Sequence, residues 1–173
     1  MAEIDSTTNA DRNFIVQQGL EAPASTSCSS LSSALLFQPR LVGLILVAGV
    51  ISQSAALFAT LAALLWWCAL LPRLNPIDVA YNRTLGARPN APRLGQAPMP
   101  RRFAQGMAAT FATAIAALIA SEFRIAAWVL QAFFVLAVAA LVFGRFCLGS
   151  FVYHVVRGRV AFAVATLPWR RGA

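Results

Sequence analysis

Residues 125–144 contain no charged side chain, and this stretch constrains the fold more than any other part of the sequence. Gln131 is its only strongly polar side chain. Twenty residues in an α-helix extend about 30 Å, which is the thickness of the hydrocarbon core of a bilayer. Arg145 follows where such a span would end. The stretch therefore predicts a transmembrane helix, and we expect this helix to continue to about residue 153 at the membrane surface.

The whole chain has the composition expected of a membrane protein. Of its 173 residues, 59% are hydrophobic and 12% are charged, whereas a soluble domain has about 25% charged residues. The net charge is +8, and the cationic residues are all Arg. A basic chain can bind nucleic acid, but these Arg residues lie between apolar stretches, as the positive-inside rule predicts for cytoplasmic loops. We therefore expect a lipid bilayer as the partner, and no nucleic acid.

A second apolar stretch, residues 35–71, is too long for one span and about right for two short ones. The polar triplet Ser52-Gln53-Ser54 is the natural turn between them. The fold class predicted is all-α: a polytopic membrane protein with four transmembrane helices arranged as two hairpins in a bundle. The predicted helices cover residues 35–51, 55–71, 103–120 and 125–153.

Three polar segments flank these spans. Residues 1–34 are rich in Ser and Thr and predict a disordered tail. Residues 72–102 form a loop rich in Pro and Arg, with one short helix that Asn75 would cap. Residues 157–173 form a basic tail. Because nearly every Arg falls on the side of this loop and this tail, we expect both termini in the cytoplasm.

The third predicted span carries an alanine at every fourth position, beside a parallel row of bulky residues. Small residues at this spacing let helices approach closely within lipid. We expect the alanine row to face a neighbouring helix and the bulky row to face lipid or fill a groove. The alanines are Ala104, Ala108, Ala112, Ala116 and Ala120, and the bulky residues are Met107, Phe111, Ile115 and Ile119.

The end of the fourth span holds the first candidate site. In a continuous helix Cys147, Ser150 and His154 share one face. A thiol beside a cation such as Arg145 can be reactive, although a helix C-terminus disfavours the thiolate. The alternatives are that Cys147 is a small packing residue and that Arg145 extends to the lipid head groups.

Three further polar residues are candidates for interfaces. We expect Gln105 to form hydrogen bonds between helices, and Arg101 and Arg102 to belong to the Arg-rich cytoplasmic face. With one His and no Cys-x-x-Cys motif, the sequence predicts no metal site. It also shows no phosphate-binding loop or catalytic triad, and we expect no cofactor.

Three motifs carry a resemblance to a known family. The motifs are NPIDVAYN (75–82), PRRFAQGMAATFATAIAAL (100–118) and LVFGRFCLGSFVYH (141–154). Over about residues 38–158 the chain resembles the bacterial integral membrane proteins called domain of unknown function 4395. The resemblance implies four transmembrane helices in the bacterial inner membrane and no established activity. The family's typical Cys-x-x-Cys, and its association with thioredoxin-like or sulfurtransferase partners, imply thiol chemistry. Here Ser150 replaces the second Cys, so the motif cannot form its own disulfide.

The leading hypothesis is therefore a non-enzymatic accessory, scaffold or assembly subunit that contacts a membrane-protein partner or a second copy of itself. The alternative is a thiol-linked redox or sulfur-handling protein that acts through Cys147 with a thioredoxin-like partner. A transporter or channel is a third class. The sequence argues against it, because its spans contain no acidic residue and no helix interruption.

Overall fold

The computed structural model describes residues 2–23 and 25–170, and the side chains of 2–8 and 25–27 lie outside this description. The described chain is helical and contains no strand, which confirms the predicted all-α class. Short 3-10 turns cover Pro72–Leu74 and Leu85–Ala87. The helices are α1 (Ala2–Gln17), α2 (Ser25–Leu35), α3 (Phe37–Ser52), α4 (Ala55–Leu70), α5 (Pro76–Arg83), α6 (Met99–Ala120), α7 (Arg124–Val142), α8 (Leu148–Val156) and α9 (Val160–Ala165).

Three helical stretches are long and apolar enough to cross a membrane, namely Cys28–Ser52, Met99–Ala120 and Arg124–Val142. A fourth candidate is the pair Ala55–Leu70 and Pro72–Arg83, which is bent by 117°. Pro72 explains the bend, because a proline nitrogen carries no hydrogen and cannot donate the backbone hydrogen bond that would continue α4. The described residues therefore contain three to four candidate spans, which indicates a membrane protein.

The turn between α3 and α4 forms where the sequence predicted it. Gln53 adopts a left-handed conformation with φ 47° and ends α3. Ser54 then caps α4 by accepting a hydrogen bond from the amide of Leu57 at 3.3 Å. The side chain of Gln53 also donates to Gln131 Oε1 at 2.9 Å, which connects this turn to α7.

The apolar core lies between α3, α4, α6 and α7, and α6 packs most extensively against α4. On α6 the side chains of Ala112 and Ile115 are both fully buried, whereas Ala120 is exposed. The prediction that the alanine row faces a neighbouring helix, while the bulky row faces lipid or fills a groove, is therefore only partly right. A four-residue repeat advances about 400° around a helix with 3.6 residues per turn, so the alanine row drifts away from the buried face.

The N-terminal segment differs from the disordered tail that we expected. It forms α1 and α2, and Phe14 and Ile15 of α1 are fully buried. They belong to a second apolar cluster, which also contains Leu35 and Cys147. Tertiary packing of these two apolar side chains explains the order that the polar composition of the segment did not predict.

The fourth predicted helix is broken rather than continuous to residue 153. Helix α7 ends at Val142, and α8 begins at Leu148 after a turn in which Arg145 has a φ of 51°. Gly144 suits this turn, because an added Cβ would lie 2.7 Å from the carbonyl oxygen of Ala140. Further along, the predicted basic tail contains the short helix α9, and residues 171–173 lie outside the described part.

Candidate functional site

A buried polar network surrounds Arg101 at the start of α6. The Nη2 atom of Arg101 lies 2.7 Å from Asp78 Oδ1 and donates a hydrogen bond to Gln38 Oε1 at 2.9 Å. All three residues are at most 6% exposed. The network brings together α3, α5 and α6, and it neutralises the one buried cation within it.

Asn75 extends this network to α4. Its Oδ1 atom accepts hydrogen bonds from the amides of Ile77 and Asp78, as the predicted helix cap requires, and from Cys68 Sγ at 3.2 Å. Its Nδ2 atom donates to Asp78 Oδ2 at 3.0 Å. The short helix α5 is thus fixed against α4 by polar contacts, and its buried residues include Ile77, Asp78 and Tyr81.

Gln105 makes the interhelical hydrogen bond that the sequence predicted for it. Its Nε2 atom donates to Gln38 Oε1 at 2.9 Å, while its buried Oε1 atom has no hydrogen-bond partner within the described structure. Arg102 lies apart from the network, and its Nε atom donates to the carbonyl of Ala69 at 2.9 Å. Of these three predicted interface residues, Arg101 and Gln105 are therefore together and Arg102 is separate.

A second polar cluster joins α1 to the turn after α7. Arg145 forms an ion pair with Asp11, and Asp11 also accepts a hydrogen bond from Ser32 at 2.7 Å. Asp11 is 2% exposed. Arg145 is thus held by an acidic residue of the N-terminal helix, a partner that neither prediction for Arg145 included.

Gln17 contacts both α8 and its N-cap residue Cys147 from α1. Its Oε1 atom accepts a hydrogen bond from the amide of Cys147 at 2.9 Å, and its carbonyl lies 3.0 Å from His154 Nε2. Asn13, one turn earlier, donates to the carbonyls of Leu167 and Arg170 at 3.0 Å each. The N-terminal helix therefore covers the end of the chain that carries Cys147.

Cys147, Ser150 and His154 do lie near one another, but not on one continuous helix. Cys147 precedes α8 as its N-cap residue, while Ser150 and His154 are buried within α8. Ser150 donates to the carbonyl of Pro100 at 3.3 Å, and His154 packs against Phe162 with ring centroids 4.7 Å apart. The first contact holds α8 against α6, and the second holds it against α9.

The thiol of Cys147 is packed inside the protein, with 5% of the residue exposed, as the alternative of a small packing residue requires. Burial raises the pKa of this thiol, and a hydrogen bond with Ser150 is the largest opposing effect. The protonated thiol is therefore favoured. Within the described part of the chain, no group of three His, Cys, Asp or Glu side chains could hold a metal ion, and the three cysteines are free.

Two cavities adjoin Cys147. One of about 80 Å³ borders Gln38, Arg101 and Gln105, and the other, of about 170 Å³, lies between α6 and α7. The two cavities share part of their lining, formed by Ala104, Ala108, Phe134, Val138, Leu141 and Cys147. The smaller cavity therefore has polar side chains at Gln38, Arg101 and Gln105, whereas the larger cavity is lined by apolar residues.

Sequence reasoning did not single out Asp11, Gln17, Gln38 or Asp78 as site residues. Gln38 carried one usable signal, because it is a lone amide at the start of an apolar stretch. Asp78 carried another, as the single acid in an Arg-rich loop. Asp11 and Gln17 gave no such signal within their polar surroundings.

The fold and this site define a helical protein with three to four candidate membrane spans and a buried polar network at the start of α6. The family model described as Domain of unknown function (DUF4395) matches residues 32–157. The chain belongs to this family. Neither a curated protein nor a solved structure matches the chain significantly.

Proposed function

We propose that the protein is a non-enzymatic accessory, scaffold or assembly subunit of a bacterial inner membrane. Four spans form two hairpins in a bundle, and both termini are cytoplasmic. The observation that carries this proposal is that buried polar residues form hydrogen bonds between helices. Arg101, Asp78 and Gln38 hold α3, α5 and α6 together, and Gln17 holds α1 against α8.

The chemistry around Cys147 supports a structural role. Nucleophilic catalysis needs an activated nucleophile beside a base. His154 instead directs Nε2 to the carbonyl of Gln17 at 3.0 Å, and burial raises the pKa of the Cys147 thiol. Both groups are engaged in packing the chain.

The outer surface of the bundle supports contact with lipid and with another membrane protein. Large apolar side chains on α3 and α7 are exposed, including Leu44 at 71% and Leu136 at 66%. Such surface is stable when it contacts hydrocarbon, and a partner helix could pack against it by close van der Waals contact. We expect this surface to carry the contact with a membrane protein or a second copy.

Charge and helix geometry support the proposed topology. In this topology α4 is the second span in chain order, and the 117° bend after it turns α5 away from the direction of α4. Arg73, Arg83 and Arg88, in or beside α5, are exposed. Exposed Arg between spans marks the cytoplasmic side.

Labelling of single cysteines introduced at Glu122 and Asn90 tests the topology. Both positions are exposed, whereas the three native cysteines are buried, so the unmodified chain is the background control. In intact cells an impermeant maleimide should label Glu122→Cys and leave Asn90→Cys unlabelled. Labelling of both from outside, or of Asn90→Cys alone, would contradict it.

A photo-cross-linking amino acid at Leu136 tests the scaffold role. We expect one discrete cross-linked protein, either a partner or a second copy, after illumination of native membranes. A cross-linker at Arg88 in the loop is the matched control for random collision. Cross-linking to lipid alone at Leu136 would contradict a role in assembly.

One observation favours the thiol hypothesis as a second candidate. Cys147 lies at the N-terminus of α8 and not at a helix C-terminus as the sequence suggested. The positive end of the helix dipole there favours a thiolate, although burial acts against it. A mixed disulfide with a thioredoxin-like partner, trapped in cells and lost in Cys147→Ser, would support this candidate. Its absence together with a protein cross-link at Leu136 would favour the scaffold.

A further inference from the structure

We propose that the two cavities adjoining Cys147 together bind one uncharged amphipathic lipid, a single hydrocarbon chain with a hydroxyl head group. The head group occupies the smaller cavity at Gln105. The hydrocarbon chain occupies the larger cavity, which is the groove between α6 and α7. This binding site is additional to the scaffold role and does not depend on it.

The head group follows from the free acceptor of Gln105. This residue is 6% exposed and borders the smaller cavity. Its Nε2 atom already donates a hydrogen bond to Gln38 Oε1. Its Oε1 atom is buried, and no described residue donates to it. A buried carbonyl without a donor is costly, so a ligand that offers an O–H group is favoured at this position.

The head group is uncharged because the neighbouring cation is already neutralised. Arg101 forms an ion pair with Asp78 at 2.7 Å, and both side chains are buried. A carboxylate or phosphate would compete with Asp78 for Arg101 and add a second negative charge at low dielectric. Desolvation of that charge would have no matching gain.

The groove provides space for the chain of the ligand. Its volume is about 170 Å³, and its lining includes Met107, Phe111 and Phe133. Phe133 is 61% exposed, so the groove reaches the outer surface of the bundle at α7. A lipid chain can therefore enter from the bilayer, while the shared lining with the smaller cavity keeps head and chain continuous.

The first experiment compares three probes on the full-length protein in phosphatidylcholine nanodiscs. The probes are dodecanol with a photoactivatable diazirine in its chain, its methyl ether and the corresponding carboxylic acid. Dodecanol should label the groove-lining residues of α6 and α7, and the other two probes should label them about tenfold less, since they lack the donor or carry a charge. Equal labelling by the ether or the acid, or labelling spread evenly over the outer surface, would overturn the proposal.

A pair of matched variants gives a second readout. Gln105→Met and Gln131→Met each remove a buried glutamine that bonds to another glutamine between helices, but only Gln105 borders the cavities. Groove labelling by dodecanol should be lost in Gln105→Met and retained in Gln131→Met, and equal retention would overturn the proposal.

A second pair of variants decides the question if Gln105→Met does not fold. Ala108→Leu narrows both cavities, whereas Ala117→Leu changes an exposed position on the same helix. Ala108→Leu should then lose the groove labelling, and equal labelling of the two variants would overturn the proposal.

Discussion

The guanidinium Nη2 atom of Arg101 and the carboxylate Oδ1 atom of Asp78 lie 2.7 Å apart, and each side chain is 7% exposed. The two residues belong to α6 and to the short helix α5. Because Gln38 of α3 also accepts from Arg101, this pair fixes the loop between the second and third predicted spans onto the helical bundle.

We predict that removal of one member of this pair strongly destabilises the protein. Asp78→Asn should lower the free energy of unfolding by about 3–5 kcal/mol, because it leaves the buried guanidinium uncompensated. The double variant Asp78→Asn with Arg101→Met should lose less than the sum of the two single losses. Arg73→Gln, at an exposed position, is the control and should change little. Denaturation in detergent measures all four, and additive losses would argue against coupling.

Gly149 and Gly106 provide a matched pair of glycine variants. A Cβ at Gly149 would lie 2.6 Å from both the Cα and the Cβ of Ala104, whereas one at Gly106 would meet nothing closer than 4.0 Å. Gly149→Ala should therefore cost about 1–3 kcal/mol through overpacking of α8 against α6. Gly106→Ala should be neutral or stabilise by up to about 1 kcal/mol, since alanine favours a helix. Thermal melts of both variants decide this, and equal shifts would show that α8 is not closely packed.

The contact of Gln17 with Cys147 predicts a change in thiol accessibility. Gln17→Leu removes the acceptor for the Cys147 amide and loosens α1 from α8. The rate of N-ethylmaleimide labelling of Cys147, read by peptide mass, should rise about tenfold. Arg12→Gln changes an exposed residue of the same helix and is the control. An unchanged rate in Gln17→Leu would mean that α1 does not protect the thiol.

The buried thiol of Cys147 also predicts a pH dependence. Burial raises its pKa from the ordinary value of 9.0. Above about pH 9 the unfolded chain loses this proton while the folded chain keeps it, so the free energy of unfolding falls as pH rises toward the raised pKa. Urea titrations at pH 8, 9 and 10 should show a steeper fall in the wild type than in Cys147→Ala. Parallel curves, or alkylation with a midpoint below 9, would indicate an accessible thiolate.

Much of the helical architecture could be predicted because the relevant signals are local. The Ser-Gln-Ser turn, the Asn75 cap and the charge-free span after Arg124 all depend on neighbouring residues. The break after Val142 was not predicted, although the adjacent Gly144 and Arg145 interrupt the apolar pattern there. The order of α1 could not be predicted, because it depends on distant partners for Phe14 and Ile15.

The candidate site was less predictable than the helices. Gln105, near the start of a predicted span, and Arg101, in the loop just before it, stood out as candidates, and both lie in the buried network. Their shared partner Gln38 is more than sixty residues away in sequence. Sequence spacing also placed Cys147 on one continuous helix with Ser150 and His154, whereas Cys147 precedes α8 and is buried where Gln17 of α1 contacts it. Long-range pairing of this kind leaves no periodic pattern in a single sequence.

The ion pair between Asp11 and Arg145 shows that the residues that pack together extend beyond the segment matched by the family. The segment recognised as the family covers residues 32–157 and includes Arg145, Cys147 and His154, while Asp11 and Gln17 lie before it. A protein trimmed to the recognised segment would expose the apolar cluster around Cys147 and leave Arg145 without its acidic partner. The set of residues that pack together is therefore larger than the segment matched by the family, and we expect that segment, expressed alone, to give a less stable protein.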